Sequence, residues 1–213
     1  MAKNKRDQIM DMAERLFARN GFYGVSVRDI TSSADVRLAS VNYYFETKEK
    51  LYFEVLARRA DYIVKERERR LDNLDFDSMT DSEAIAAIVR LISSPIQEKV
   101  MSGDVGWRAY LSVLAHYSSS PLTDDKEAPP MNDYDRYSLK LIAALRRYTV
   151  DDSEQKAQHA FQFITGSSLM IFANNGRLNT LSNNKYRSDD YPALYKDGME
   201  FMIGGTVRLL RGA

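Results

Sequence analysis

The chain has 213 residues, 44% of them apolar and 28% charged, with a formal net charge of zero. That length and balance suit a globular protein with a sizeable core and exclude wholesale disorder. There is no cysteine, which removes disulfide frameworks, thiolate metal sites and cysteine nucleophiles together.

The zero net charge hides an asymmetry. Residues 1–70 carry 15 Lys and Arg against 11 Asp and Glu, while the remainder carries 15 against 19. The N-terminal end is therefore the one suited to an anionic polymer. The opening MAKNKRDQIMDMAERLF turns charged and amphipathic at once, without the apolar run of an export signal. No window reaches the ~18 apolar residues of a membrane span. A soluble, cytoplasmic protein is expected.

Apolar periodicity is helical nearly throughout. Ile9, Ala13, Leu16 and Phe17 form one stripe, and Asn20–Gly21 is a natural stop because both residues tolerate left-handed backbone. Ser26 begins a second, short helix, and Asp29 three positions on makes a capping box with Asp in place of Glu. The turn Ala34–Asp35–Val36 needs positive φ at position 35, which Asp tolerates better than most residues. A third short helix is expected from Leu38 to Phe45. Thr47 then caps a long fourth helix over 48–72, with Leu51, Val55 and Ile63 on its apolar stripe. Thr80 or Asp81 caps a helix over 81–94, which the local rule stops before Pro95. A helix over 104–118 leads into a loop at 118–130, rich in Ser and Pro. Helices over 131–149, 153–174 and 190–211 complete an all-α chain of nine helices with no strand pattern.

Three short helices, the second and third joined by a tight turn, describe a helix-turn-helix, in which the third helix enters the major groove and the second spans the phosphates. The stretch SVRDITSSADVRLASVNYYFETKEKL resembles the DNA-binding signature of TetR-family transcription regulators, over roughly residues 9–55. It departs from that pattern at Asp35, where Gly is usual, and at Arg37, where Ser or Thr often caps the recognition helix. Arg cannot accept from backbone N–H groups, so that cap is lost.

The residues support the same reading independently. Ile30, Ala34, Val36, Val41, Phe45 and Leu51 are spaced to hold the three helices together. That leaves Arg37, Leu38, Ala39, Ser40, Asn42 and Tyr43 on the outer side of the third. Small side chains at 39 and 40 permit close approach to base edges, and Asn42 suits adenine or backbone. Tyr43 and Tyr44 can place hydroxyls on phosphates, although a Tyr-Tyr-Phe run at this spacing is in isolation more often core. Ser26, Arg28 and Lys48 sit at helix N-termini, where phosphate is attracted.

For the rest of the chain the resemblance implies an inducer site and a dimer. It places a helix-turn-helix DNA-binding domain at residues 1–50 and a larger helical ligand-binding and dimerisation domain at 51–213, joined by the long helix as a lever. Small residues at Gly166, Ser167, Ser168 and Gly204–Gly205 point to a homodimer through the helices near 153–174 and 190–211. Trp107, Tyr110, His116, Tyr117, Phe161 and Met170 are candidates to line an apolar pocket, with ordinary core as the plain alternative. His116 and His159, 43 positions apart, have no metal-ligand spacing, and no cofactor is called for. No nucleophile–base pair, carboxylate pair or phosphate loop supports an enzyme. The expected function is a ligand-responsive repressor. It binds a pseudo-palindromic double-stranded DNA operator as a homodimer and is released by a small-molecule inducer. The alternative is a DNA-binding helical protein with no such inducer, regulated by a protein partner.

Overall fold

A computed structural model describes residues 4–119, 133–172 and 176–212, without the side chains of 133 and 134. Among the described residues there are eleven α-helices, one 3-10 turn and no strand. The helices are α1 (Lys5–Asn20), α2 (Val27–Ala34), α3 (Leu38–Phe45), α4 (Lys48–Ala57), α5 (Ala60–Leu71), α6 (Asp81–Met101), α7 (Val105–Ser119), α8 (Asp133–Arg146), α9 (Glu154–Phe172), α10 (Arg177–Leu181) and α11 (Tyr191–Arg211). The chain divides into two compact units. The first holds 4–60 together with 105–119; the second holds 61–104 and the described part of 131–213.

In the first unit, α1 is the central element. Of its expected stripe, Ile9, Ala13 and Phe17 are buried in one apolar cluster with Ile30, Val41, Phe45, Leu51, Val55 and, from α7, Val113, and Leu16 packs half-buried against it. Two tyrosines tie α4 to α7. Tyr110 Oη donates to the Leu56 carbonyl at 2.8 Å, and Tyr52 Oη to that of Val113 at 3.4 Å. Burial pushes the Tyr52 hydroxyl up to about 12, so it stays a neutral donor.

The uninterrupted helix expected over 48–72 is instead two helices, α4 and α5, broken at Arg58–Arg59. Consecutive side chains on an ideal helix diverge by about 100°, yet both arginines reach the same acid on α1. Arg58 pairs with Asp11 at 2.6 Å and Glu14 at 3.0 Å, and Arg59 pairs with Glu14 at 3.1 Å. The Arg59 guanidinium also lies 4.8 Å from the Trp107 ring centre. Both arginines are thus tied to α1 at the point where α4 ends and α5 begins.

The second unit is built on α6, α8, α9 and α11, whose core includes Ile85, Ile88, Ile92, Tyr137, Leu141, Leu145, Ile164 and Met202. The expected stop before Pro95 is also overturned, because α6 runs through it to Met101. Proline removes the N–H that would serve the Leu91 carbonyl one turn back. Arg67, 2% exposed, supplies the missing donor. Its Nε donates to Leu91 O at 3.1 Å, and its terminal nitrogen donates to Ile92 O. A buried arginine thus mends the helix that the proline would break. Where α11 crosses α9, a Cβ at Gly198 would lie 2.4 Å from Ile171 Cδ1, so a larger residue there would have to displace the end of that side chain. The short α10 was not expected, and the loop expected at 118–130 lies, from 120 onward, outside the described residues.

Candidate nucleic-acid interface

The α2–turn–α3 segment takes its shape from local chemistry. Asp29 N donates to Ser26 Oγ at 3.2 Å, and Ser26 N donates to the Asp29 carboxylate at 2.8 Å. This is the expected capping box, and the Ser26 donors hold the Asp29 carboxyl below its ordinary value. Asp35 adopts the expected left-handed conformation (φ 49°, ψ 50°), and Arg37 makes no side-chain cap.

An eight-residue helix is too short to be stable alone, and α3 is held by tertiary packing. Val41 and Phe45 are buried, and Tyr44 packs partly against the same cluster. The opposite face is open. Arg37, Leu38, Ala39, Asn42 and Tyr43 are exposed, with Tyr43 at 81%, and Ser40 is half-buried. Positions 38, 39, 42 and 43 make one helical face of a small side chain, an amide, an apolar group and a phenol. That face can form hydrogen bonds and close contacts with a groove wall. The Tyr43 and Tyr44 rings meet edge to face at 5.0 Å. The pair thus divides its labour, Tyr44 turned toward the core and Tyr43 outward.

Ser26 and Arg28, at the start of α2, are exposed. Lys48 has a role beyond its position at a helix N-terminus. Its Nζ donates to the carbonyls of Phe22 and Val25 at 3.1 and 3.0 Å and sits 3.9 Å from the Phe22 ring centre. Two of its three donors therefore fix the α1–α2 connection. Tyr23, beside this anchor and 70% exposed, was not singled out in the sequence, because its loop has no periodic signal.

Of the six residues read as pocket candidates, four belong to the first unit and two to the second. Trp107, Tyr110, His116 and Tyr117 lie on α7 in the first unit, where they meet its own elements: Arg59, Leu56, Gly21 and Tyr52 respectively. Phe161 and Met170 lie on α9 in the second unit. Phe161 packs against the core, and Met170 is exposed. Elsewhere in this unit α9 and α11 form an open apolar groove of about 630 Å³, lined by Phe163, Gly166, Ser167, Phe201 and Gly205 among others. A Cβ at Gly166, Gly204 or Gly205 would meet nothing within 4 Å. Among the described residues no group of His, Asp and Glu could hold a metal ion, and no helix is long and apolar enough to cross a membrane.

Comparison with known proteins agrees with this geometry. The model of the family described as bacterial regulatory proteins, tetR family, matches residues 9–55. That of the tetracyclin repressor-like C-terminal domain matches residues 90–205. The chain is 25% identical over 172 residues to the HTH-type nicotine-responsive transcriptional repressor HdnoR of Paenarthrobacter nicotinovorans, covering 80% of this chain and 84% of that one. In fold it is similar to the fatty acid degradation regulator FadR from Bacillus halodurans, with a TM-score of 0.54, 18% identity, and 96% and 97% of the two chains covered. It is likewise similar to a TetR-like transcriptional regulator from Rhodococcus, with a TM-score of 0.54, 15% identity, and 98% and 97% covered.

Proposed function

The chain belongs to the TetR family of bacterial transcriptional regulators, a DNA-binding rather than an enzymatic family, and from that premise we propose that it is a homodimeric repressor released from its operator by a small molecule. The observation that carries the DNA contact is the open face of α3, held outward by buried Val41 and Phe45. In this reading Arg37, Leu38, Ala39, Ser40 and Asn42 meet base edges. Ser26, Arg28, Tyr43, Tyr44 and Lys48 meet phosphates.

A single α3 reads only a few base pairs. Two of them, about 34 Å apart, read a pseudo-palindrome. The groove between α9 and α11 supports the pairing. Phe163 and Phe201 stand 62% and 73% exposed there, and the glycines with open space beside them suit the approach of helices from a second copy. Effector control is supported by the relative whose name makes it nicotine-responsive. Trp107, Tyr110, His116, Tyr117, Phe161 and Met170 remain the sequence candidates for effector contacts. The effector must favour a DNA-incompetent arrangement, since a ligand with equal affinity for both states shifts nothing.

The deciding experiment is selection of random duplex DNA on the purified full-length protein at a stated salt concentration. Enrichment of a two-fold-symmetric site with half-sites one or more helical turns apart is the expected result. Recovery of no enriched sequence, with only weak and steeply salt-dependent binding, would overturn the operator reading.

A further inference from the structure

Seven consecutive residues of α6, from Leu91 to Gln97, are buried. Its polar groups are mostly provided for within the fold. Ser93 Oγ donates to the Val89 carbonyl at 2.8 Å. Ser94 Oγ accepts from Arg70 at 2.8 Å. The Leu91 carbonyl, left without a donor by Pro95, accepts from Arg67, as does that of Ile92.

Gln97 is different. Its side chain is 1% exposed, and among the described residues neither its Oε1 nor its Nε2 has a hydrogen-bond partner. A carboxamide offers two N–H donors and an acceptor with two lone pairs, and burying such a group unpaired is costly. Fixing a flexible glutamine side chain adds to that cost. An apolar side chain of similar length would fill the same space without burying unpaired polar atoms. Gln97 therefore holds hydrogen-bonding capacity that the described residues do not use.

We propose that Gln97 is the polar anchor of a ligand site in the second unit, and that it takes a neutral ligand carrying an amide-type edge, such as a primary carboxamide or a lactam. Such an edge presents one donor beside one acceptor and pairs with the glutamine amide through two parallel hydrogen bonds, satisfying both atoms at once. An ionised carboxylate or amine matches only one of them and must itself be desolvated. The proposal rests on the reading above that a small molecule controls the protein, and it adds the chemical class.

The test uses the full-length protein and a panel of small primary carboxamides and lactams, each paired with its N-alkylated analogue and its carboxylic acid. Benzamide, N,N-dimethylbenzamide and benzoate make one such set. Thermal unfolding is followed at millimolar ligand. At least one carboxamide or lactam is expected to raise Tm by about 3 °C, with its N-alkylated and acid partners giving little shift. Gln97→Met is expected to raise the ligand-free Tm and to abolish the carboxamide-specific shift. The proposal is overturned if no member of the panel outperforms its N-alkylated partner, or if Gln97→Met retains the discrimination. Should Gln97→Met not fold, Gln97→Leu takes its place, and should neither fold, the paired comparison on the native protein decides. Operator release separates this outcome from the broader reading. If apolar compounds release the operator and carboxamides do nothing, the effector reading stands and the Gln97 assignment falls. If no compound of any class alters operator binding, effector control falls, while a carboxamide-specific Tm shift would still establish the site.

Discussion

Lys48 shows how one side chain can serve both the fold and the proposed interface. Its ammonium bridges two carbonyls of the α1–α2 connection and stands at the N-terminus of α4. Lys48→Met keeps the stem and removes the charge. It should lower unfolding free energy by about 1–2 kcal/mol, since two carbonyls lose their donor. It should also weaken binding to every duplex and reduce the salt slope by about one. Urea denaturation and fluorescence anisotropy across a salt series separate the two effects. Lower stability with unchanged affinity and slope would make Lys48 structural alone. Tyr43→Phe is the complementary case, because the exposed phenol contributes little to folding. Affinity should fall there and stability should not. The capping box at Ser26–Asp29, the left-handed Asp35 and the uncapped Arg37 were all legible in the sequence, because each depends on partners within a few positions. The partners of Lys48 lie 23 and 26 positions upstream, and no local pattern announces them.

At the scale of elements, the existence of helices was legible from periodicity and their ends were less so, because partners far along the chain decide them. A stop before Pro95 follows from the local rule and fails because Arg67 supplies the donor that proline lacks. Arg67→Met should cost about 2–4 kcal/mol, as buried carbonyls lose a charged donor. Pro95→Ala restores an N–H one turn after Leu91, so it should stabilise the Arg67→Met background more than the native one. A coupling of about 1 kcal/mol or more is expected in the double-mutant cycle. Simple additivity in chemical denaturation would show that the two residues do not share the Leu91 carbonyl. The break between α4 and α5 likewise falls where residues distant in the chain meet. The stripe of Leu51, Val55 and Ile63 continues across Arg58–Arg59, and the acids that pair with these arginines lie on α1.

For the whole molecule, the proposed pairing through α9 and α11 makes a direct prediction. Phe201→Glu places a charge in the apolar groove and should yield a monomer in sedimentation velocity, with thermal stability retained because Phe201 is exposed within one chain. Operator affinity should fall steeply, since one recognition helix then binds without its mate. A variant that stays dimeric would place the pairing face elsewhere. Sequence by itself determined the all-α class, the helix-turn-helix and its open face, and the family, because these rest on short-range spacing and on a signature confined to residues 9–55. Only the tertiary structure decided that residues 105–119 fold with the DNA-binding helices rather than with the residues on either side. It also decided that α6 survives its proline and that Gln97 is buried with no partner among the described residues. These features depend on contacts between residues distant in the chain. The pattern of apolar residues states that a side chain is buried, and the packing of the folded chain settles against what.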